Sequence, residues 1–339
     1  AQQNQTDYDA LRPEWDNLMA AMEAAHIHQR HQTVIDFADT LNDAWFKRGR
    51  FTQARQAFGW SVAAAESVGD TAVIAQHQRK LGAAALEQRD FVEAANWLEQ
   101  SLKLGNQSGN IIQVAQNQRD LARIAVEKSD YDLAEQYLQA SHNICEQHND
   151  LVNLAETLHV QARLRYFQGH HAQTIELGQQ VIELLNNNDK PEKTVRTLSL
   201  LASAFIMQKQ LSTAQEHAEQ ARQLCQKYPN RGDEGIILGV LSYIAQKQGN
   251  LDAAQTYAED SLSLLQTIGD LGSQALTYYK LSRIHLDKKQ AELALETAAK
   301  SLDLCEKSNF TLQQGWTLKQ LALCYKSLKQ TEKAQQYWR

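Results

Sequence analysis

The sequence predicts an all-α solenoid of antiparallel helix pairs. Three observations carry that expectation. The same residue types return every 40 residues, without drift, from residue 35 onward. Alanine, leucine and glutamine are abundant, and 339 residues contain only three prolines, so long helices go unbroken. A hydrophobic share of 43% suits a packed interior and excludes a disordered chain. Repetition also changes what length means, because a solenoid grows along one axis and needs no larger central core.

In chain order, residues 1–34 stand outside the repeat as a helical linker or cap. Pro13 to His28 reads as one helix with Leu18, Met22 and Ala25 on one face. Eight repeats then fill residues 35–339, starting near 35, 75, 115, 155, 195, 235, 275 and 315. The chain stops at Arg339, inside the second helix of repeat 8, so that repeat is either the end of the array or a truncated one.

Each repeat has a packing logic. Position 20 is alanine in seven of eight repeats (Ala54, Ala94, Ala134, Ala214, Ala254, Ala294, Ala334), with Thr174 in repeat 4. Position 8 is small or compact, as in Gly82, Ala122 and Ser242. Small facing small lets the two helices of a pair approach closely. Position 7 supplies the leucine of the seam (Leu41, Leu81, Leu121), and position 24 packs on the next pair (Phe58, Leu98, Leu138). Position 27 is usually serine, as in Ser61, Ser101 and Ser141. Repeat 4 departs, with Gln161, Thr174 and Gly178 at core positions, and is expected to be looser or bent. One pair cannot bury its apolar face alone, so neighbours must stack.

Helix ends are marked in phase. In Gly69-Asp70, Gly109-Asn110, Asn149-Asp150 and Gly269-Asp270, glycine or asparagine ends one helix and Asp or Asn caps the next. Asn186 to Pro191 and Tyr228 to Gly232 are longer breaks, either hinges or ordinary turns. Cys145, Cys225 and Cys305 recur 80 residues apart, too far for a disulfide between equivalent positions, and with Cys324 read as small buried apolar residues in a reducing compartment.

The Leu–small–aromatic–Ala spacing over residues 35–339 resembles the tetratricopeptide repeat, although that repeat is usually about 34 residues long. The resemblance implies a right-handed superhelix whose first helices line a concave groove. A second, shorter resemblance lies at Glu14-Trp15-Asp16-Asn17-Leu18-Met19-Ala20-Ala21-Met22 and at Trp45 to Phe51. These segments look like the entry to the C-terminal tetratricopeptide array of bacterial STAND (NB-ARC-like) ATPases. That implies a sensor region with a nucleotide-binding domain elsewhere in the same polypeptide. The alternative for Glu14 to Met22 is a generic amphipathic cap.

Positions 2, 5 and 9 would face the groove. Repeat 1 is acidic there (Asp36, Asp39, Asp43). Repeats 2 to 5 are basic through Arg79, Arg119, Arg123, Arg163 and Arg196, with His159 among them. Repeats 6 to 8 are aromatic and apolar through Ile236, Tyr243, Leu276, Tyr279 and Trp316, with Arg283. Arginine forks suit carboxylates, and Tyr and Trp anchor partners. The candidate ligand residues are therefore Arg79, Arg119, Arg123, His159, Arg163, Arg196, Tyr243, Tyr279, Arg283 and Trp316, for a protein or peptide ligand of acidic character. Arg119→Glu is then expected to spare folding and weaken an acidic ligand. The opposing reading is that Glu87, Asp120, Glu127 and Glu156 neutralise the arginines and that Tyr243 and Trp316 simply pack.

No Gly-x-x-x-x-Gly-Lys-[Ser/Thr], His-Glu-x-x-His, Cys-x-x-Cys or Gly-x-Ser-x-Gly occurs, so no catalytic residue, metal ligand or cofactor site is expected. A net charge of −6 speaks against nucleic acid along the whole surface. No apolar run approaches the ~20 residues of a membrane span, and a cytoplasmic location is expected. The leading expectation is a ligand sensor of a STAND-type ATPase. A stand-alone adaptor or signalling-peptide receptor comes second, and a nucleic-acid-binding repeat third.

Overall fold

The computed structural model describes residues 12–188, 190–308 and 310–337. Residues 1–11, Asp189 of the Asn186–Pro191 break, Asn309 and the final two residues lie outside them.

A short 3-10 turn (Arg12–Glu14) leads into α1 (Trp15–Ile27), which buries Trp15, Met22 and Ala25. Among the described residues, eight antiparallel pairs follow. Pair 1 is α2 (His31–Arg48) with α3 (Phe51–Val68); pair 2 is α4 (Thr71–Glu87) with α5 (Phe91–Ser108). Pair 3 is α6 (Ile111–Glu127) with α7 (Tyr131–Gln147); pair 4 is α8 (Leu151–Phe167) with α9 (His171–Asn187). Pair 5 is α10 (Val195–Met207), entered through a 3-10 turn (Pro191–Thr194), with α11 (Leu211–Lys227). Pair 6 is α12 (Arg231–Lys247) with α13 (Leu251–Ile268). Pair 7 is α14 (Leu271–Asp287) with α15 (Ala291–Lys307), and pair 8 is α16 (Thr311–Ser327) with α17 (Thr331–Gln336). The first helix of a pair touches the first helix of the next, as α4 with α6, α6 with α8 and α14 with α16. First helices therefore form the inner layer of a TPR-like solenoid.

The seams follow the repeat. Leu41, Leu81, Leu121, Leu201, Leu241, Leu281 and Leu321 are buried, and so is every position-20 residue. A Cβ on Gly82 would sit 2.6 Å from Leu98 and 3.1 Å from the Ala94 carbonyl, which is why that position must be small. Pair 4 corrects the expectation of looseness. Leu201 reaches into the space beside Gly178, where a Cβ would lie 2.6 Å from it, and the buried Thr174 donates its hydroxyl to the His170 carbonyl. The volume missing from α9 is filled from α10.

Asp70, Asn110, Asp150 and Asp270 each accept a backbone N–H of the following helix, as the spacing predicts, and Asp90, Asp130, Asn230 and Asn250 do the same. The position-27 serines do more than stay small. Ser101, Ser141, Ser261 and Ser301 are fully buried and donate to the carbonyls of Ala75, Ala115, Gly235 and Ala275 at 2.7–2.9 Å. Each also meets a polar side chain of the next pair: Asn117, Thr157, Thr277 and Thr317 respectively. A buried polar ladder thus fixes the register between pairs. The four cysteines are free and buried.

The solenoid comes round on itself. α2 touches α12, and Leu265 and Ile268 of α13 belong to the same apolar core as Trp45, Phe51 and Phe58 of pair 1. Gly49, after α2, lies so close to Ile268 that a Cβ there would be 2.2 Å from it. The early turns therefore sit against the helix starts of the late pairs.

Candidate functional site

The inner layer holds two chemically distinct zones. In pairs 2 to 5, the expected arginines are all present on the inner face and all paired. Arg79 donates to Asp120 at 3.4 Å. Arg119, only 8% exposed, contacts Asp120, Asn153 and Glu156. Arg123 donates to Glu87 at 2.9 Å, and Arg163 pairs with Glu127. Arg196 reaches Asp233 at 2.6 Å and, across the lumen, Glu87 at 3.3 Å. His159 meets the Thr197 hydroxyl at 2.9 Å.

A simple rule underlies two of these contacts. An arginine at position 9 meets the glutamate at position 13 of the preceding repeat: Arg123 with Glu87, Arg163 with Glu127. Burial disfavours charge on these glutamates, but the arginines outweigh it. Arg89 and Arg163 hold Glu127 down to about 2, and Arg119 with Lys193 holds Glu156 to about 2. Glu87 lies lower still, beside Arg196 and Arg123. Burial, with Arg163, Arg196 and Arg123 close by, pushes His159 down to about 3, so it is neutral at physiological pH. The expectation that Arg119→Glu would spare folding is corrected: the substitution would put a third carboxylate among Asp120 and Glu156 inside a nearly closed site.

The second zone spans pairs 6 to 8. Arg283 occupies position 9, but position 13 of its preceding repeat is Lys247, where the partners of Arg123 and Arg163 are Glu87 and Glu127. Both cations lie over one ring: Arg283 is 5.1 Å and Lys247 5.3 Å from the Tyr243 centroid. Arg283 also lies 5.8 Å from Tyr279. No carboxylate forms a salt bridge with Arg283 among the described residues; Asp287, on the same helix, accepts from Gln246 at 2.6 Å. Lys280 donates to the Gly239 carbonyl at 2.8 Å, and burial beside Arg283 pulls it down to about 8. Trp316 and Leu323, on the inner positions of α16, are 45% and 38% exposed. Tyr166, inside the same lumen, is pushed up to about 12 by burial and by Tyr243.

Two features escaped the sequence. Arg89 points inward to Glu127, Asp270 and Phe310. Its signal was a lone arginine in the turn where other repeats carry glycine, serine or lysine. The other is a contact chain in which the Ser61 hydroxyl meets His77 Nδ1 at 2.8 Å and His77 Nε2 meets Asp39 at 3.0 Å. Its residues are those of a hydrolase triad, but Ser61 and His77 are fully buried, so no substrate reaches the hydroxyl. Here His77 takes the place of the polar rung that follows each ladder serine. Among the described residues no group of three or more His, Cys, Asp or Glu could hold a metal ion, and no helix is long and apolar enough to cross a membrane.

Comparison with known proteins agrees with this architecture. Residues 193–267 match the tetratricopeptide repeat family, so the chain carries a TPR-type domain. Three solved structures share the fold. A Rap conjugation gene regulator of the plasmid pLS20, in complex with a Phr peptide, is 13% identical over 81% of this chain and 74% of its own, with a TM-score of 0.69. The apo form of RapI is 13% identical over 80% and 98%, with a TM-score of 0.59. A STAND protein with a tetratricopeptide repeat sensor from Pyrococcus horikoshii is 13% identical, with a TM-score of 0.57; it is matched over 94% of this chain but only 48% of its own. A search of curated proteins found no match.

Proposed function

We propose that this chain is a peptide- or protein-binding module whose ligand lies on the inner face of pairs 6 to 8, against Tyr243, Tyr279, Arg283 and Trp316. One observation carries the reading: Arg283 and Lys247 both lie over the Tyr243 ring, at the place where Arg123 and Arg163 each meet a glutamate. Two cations gathered at one aromatic ring favour an incoming carboxylate, and the guanidinium can receive it with two parallel hydrogen bonds. Exposed Trp316, on the inner layer of the next pair, offers an apolar anchor. The ligand is therefore an acidic segment with a neighbouring apolar side chain. Arg79, Arg119, Arg123, Arg163 and Arg196 serve as the internally neutralised wall of the lumen. That neutralisation also weighs against a phosphate-binding stripe for nucleic acid.

A displayed random-peptide library selected on the protein tests this. Enrichment of sequences with Asp or Glu next to an apolar residue, lost with Arg283→Ala and with Trp316→Ala, is the expected result. Enrichment indifferent to both substitutions would move the ligand elsewhere.

The cellular setting has two readings. In the first, the module is the C-terminal sensor of a STAND-type ATPase, as the Glu14–Met22 segment suggests; a full-length gene lacking an upstream nucleotide-binding domain would refute it. In the second, it is a stand-alone peptide receptor. The peptide-bound Rap regulator, which shares the fold, supports the second reading as the STAND protein with its tetratricopeptide sensor supports the first.

A further inference from the structure

We propose that Arg89 is a clasp that shuts the superhelical turn and, resting on the ligand reading above, that it sets the spacing of the two inner helices carrying the ligand surface. Arg89 follows α4 with φ of 61°, a left-handed conformation that residues with a Cβ adopt reluctantly. At the equivalent turn position Ser129, Lys209, Lys289 and Lys329 are exposed to solvent. The Arg89 side chain is instead only 16% exposed.

Its guanidinium joins three elements far apart in sequence. Nη1 donates to Glu127 of α6 at 2.7 Å. Nε lies 4.0 Å from Asp270, the residue that caps α14. The guanidinium carbon stands 4.0 Å from the centroid of Phe310, immediately before α16. One side chain therefore holds the starts of both α14, which carries Tyr279 and Arg283, and α16, which carries Trp316. α14 is shaped for it: a Cβ on Gly272 would lie 1.9 Å from Arg89 Cδ. Two further contacts close the same seam, Ile268 against Gly49 and Glu87 with Arg196. Because the helices spaced by the clasp bear the ligand residues, closure and ligand occupancy are thermodynamically linked, and each favours the other.

Small-angle scattering of the full chain, with helicity followed by circular dichroism, tests the clasp without any ligand. Arg89→Ala and Gly272→Ala should both shift the radius of gyration upward while helicity holds. The two act from opposite sides of the seam, one deleting the guanidinium and the other expelling it. If Arg89→Ala fails to fold, Gly272→Ala decides, because it leaves every residue of pair 2 in place. Wild-type dimensions in a folded Gly272→Ala variant would overturn the proposal. For the linkage, the probe is a fluorescein-labelled random copolymer of glutamate and tyrosine. Gly272→Ala should weaken its binding and increase the salt sensitivity of what remains. Expansion with unchanged probe affinity would overturn the linkage alone. Failure of the probe to bind wild type would count against the acidic-ligand reading and leave the scattering result to judge the clasp.

Discussion

At the scale of single residues, burial decides which side chains matter. Leu121 fills a seam and is 4% exposed, so Leu121→Ala should cost about 2–5 kcal/mol, read as a lower urea midpoint. Ser101 is expected to cost about 1–3 kcal/mol when changed to alanine, because Gln113, Asn117 and the Ala75 carbonyl would lose a shared partner in the interior. Arg119→Glu should destabilise by roughly 3–5 kcal/mol, as breaking a buried ion pair does, and a wild-type unfolding curve for it would show the network to be dispensable. The leucines and alanines were legible because each contacts its own pair and the next, so their environment repeats. The arginines were legible only in part. Their presence on the inner face followed from helical phase, and the four carboxylates near them were visible. Which one each arginine meets depends on the offset between neighbouring inner helices, and that offset is a packing result.

At the scale of elements, the pair is the unit, and its weak point is where two pairs trade volume. Gly178 and Leu201 make one such exchange. Gly178→Ala should lower stability by about 1–3 kcal/mol through overpacking, despite alanine's better helix propensity, as read by thermal melting. The sequence signalled Gly178 as a fault because only its own pair was in view; the leucine that compensates sits 23 residues on, at a position-7 site common to all repeats. Cap signals, in contrast, are wholly local. Asp70, Asn110, Asp150 and Asp270 could be identified because a cap and its N–H partners lie within three residues.

At the scale of the molecule, the lumen makes stability depend on acidity. His159, lowered to about 3, stays neutral when folded but takes a proton below about 6.5 when unfolded. Stability should therefore begin to fall as pH drops below 6.5. Glu127 and Glu156, held near 2, add to the loss as pH falls below their ordinary value of about 4.5. Urea midpoints should hold from pH 7.5 to about 6.5 and decline from there to pH 4, and His159→Gln should flatten the upper part of that decline. None of this closure could be read from a 40-residue pattern, since the pattern fixes neighbours and leaves the pitch of the superhelix open. The shared core of Ile268 with pair 1 has a consequence for how the protein comes apart. An open solenoid behaves as a line of beads, each repeat consulting only the next, and it frays from its ends. Here the line is joined near its beginning to a point most of the way along. Pair 1 cannot fray without uncovering pair 6, and the slow amide protons should include those of α2 and α13 together. The chain has made itself a loop without a covalent bond, and its first helices become among the last to let go.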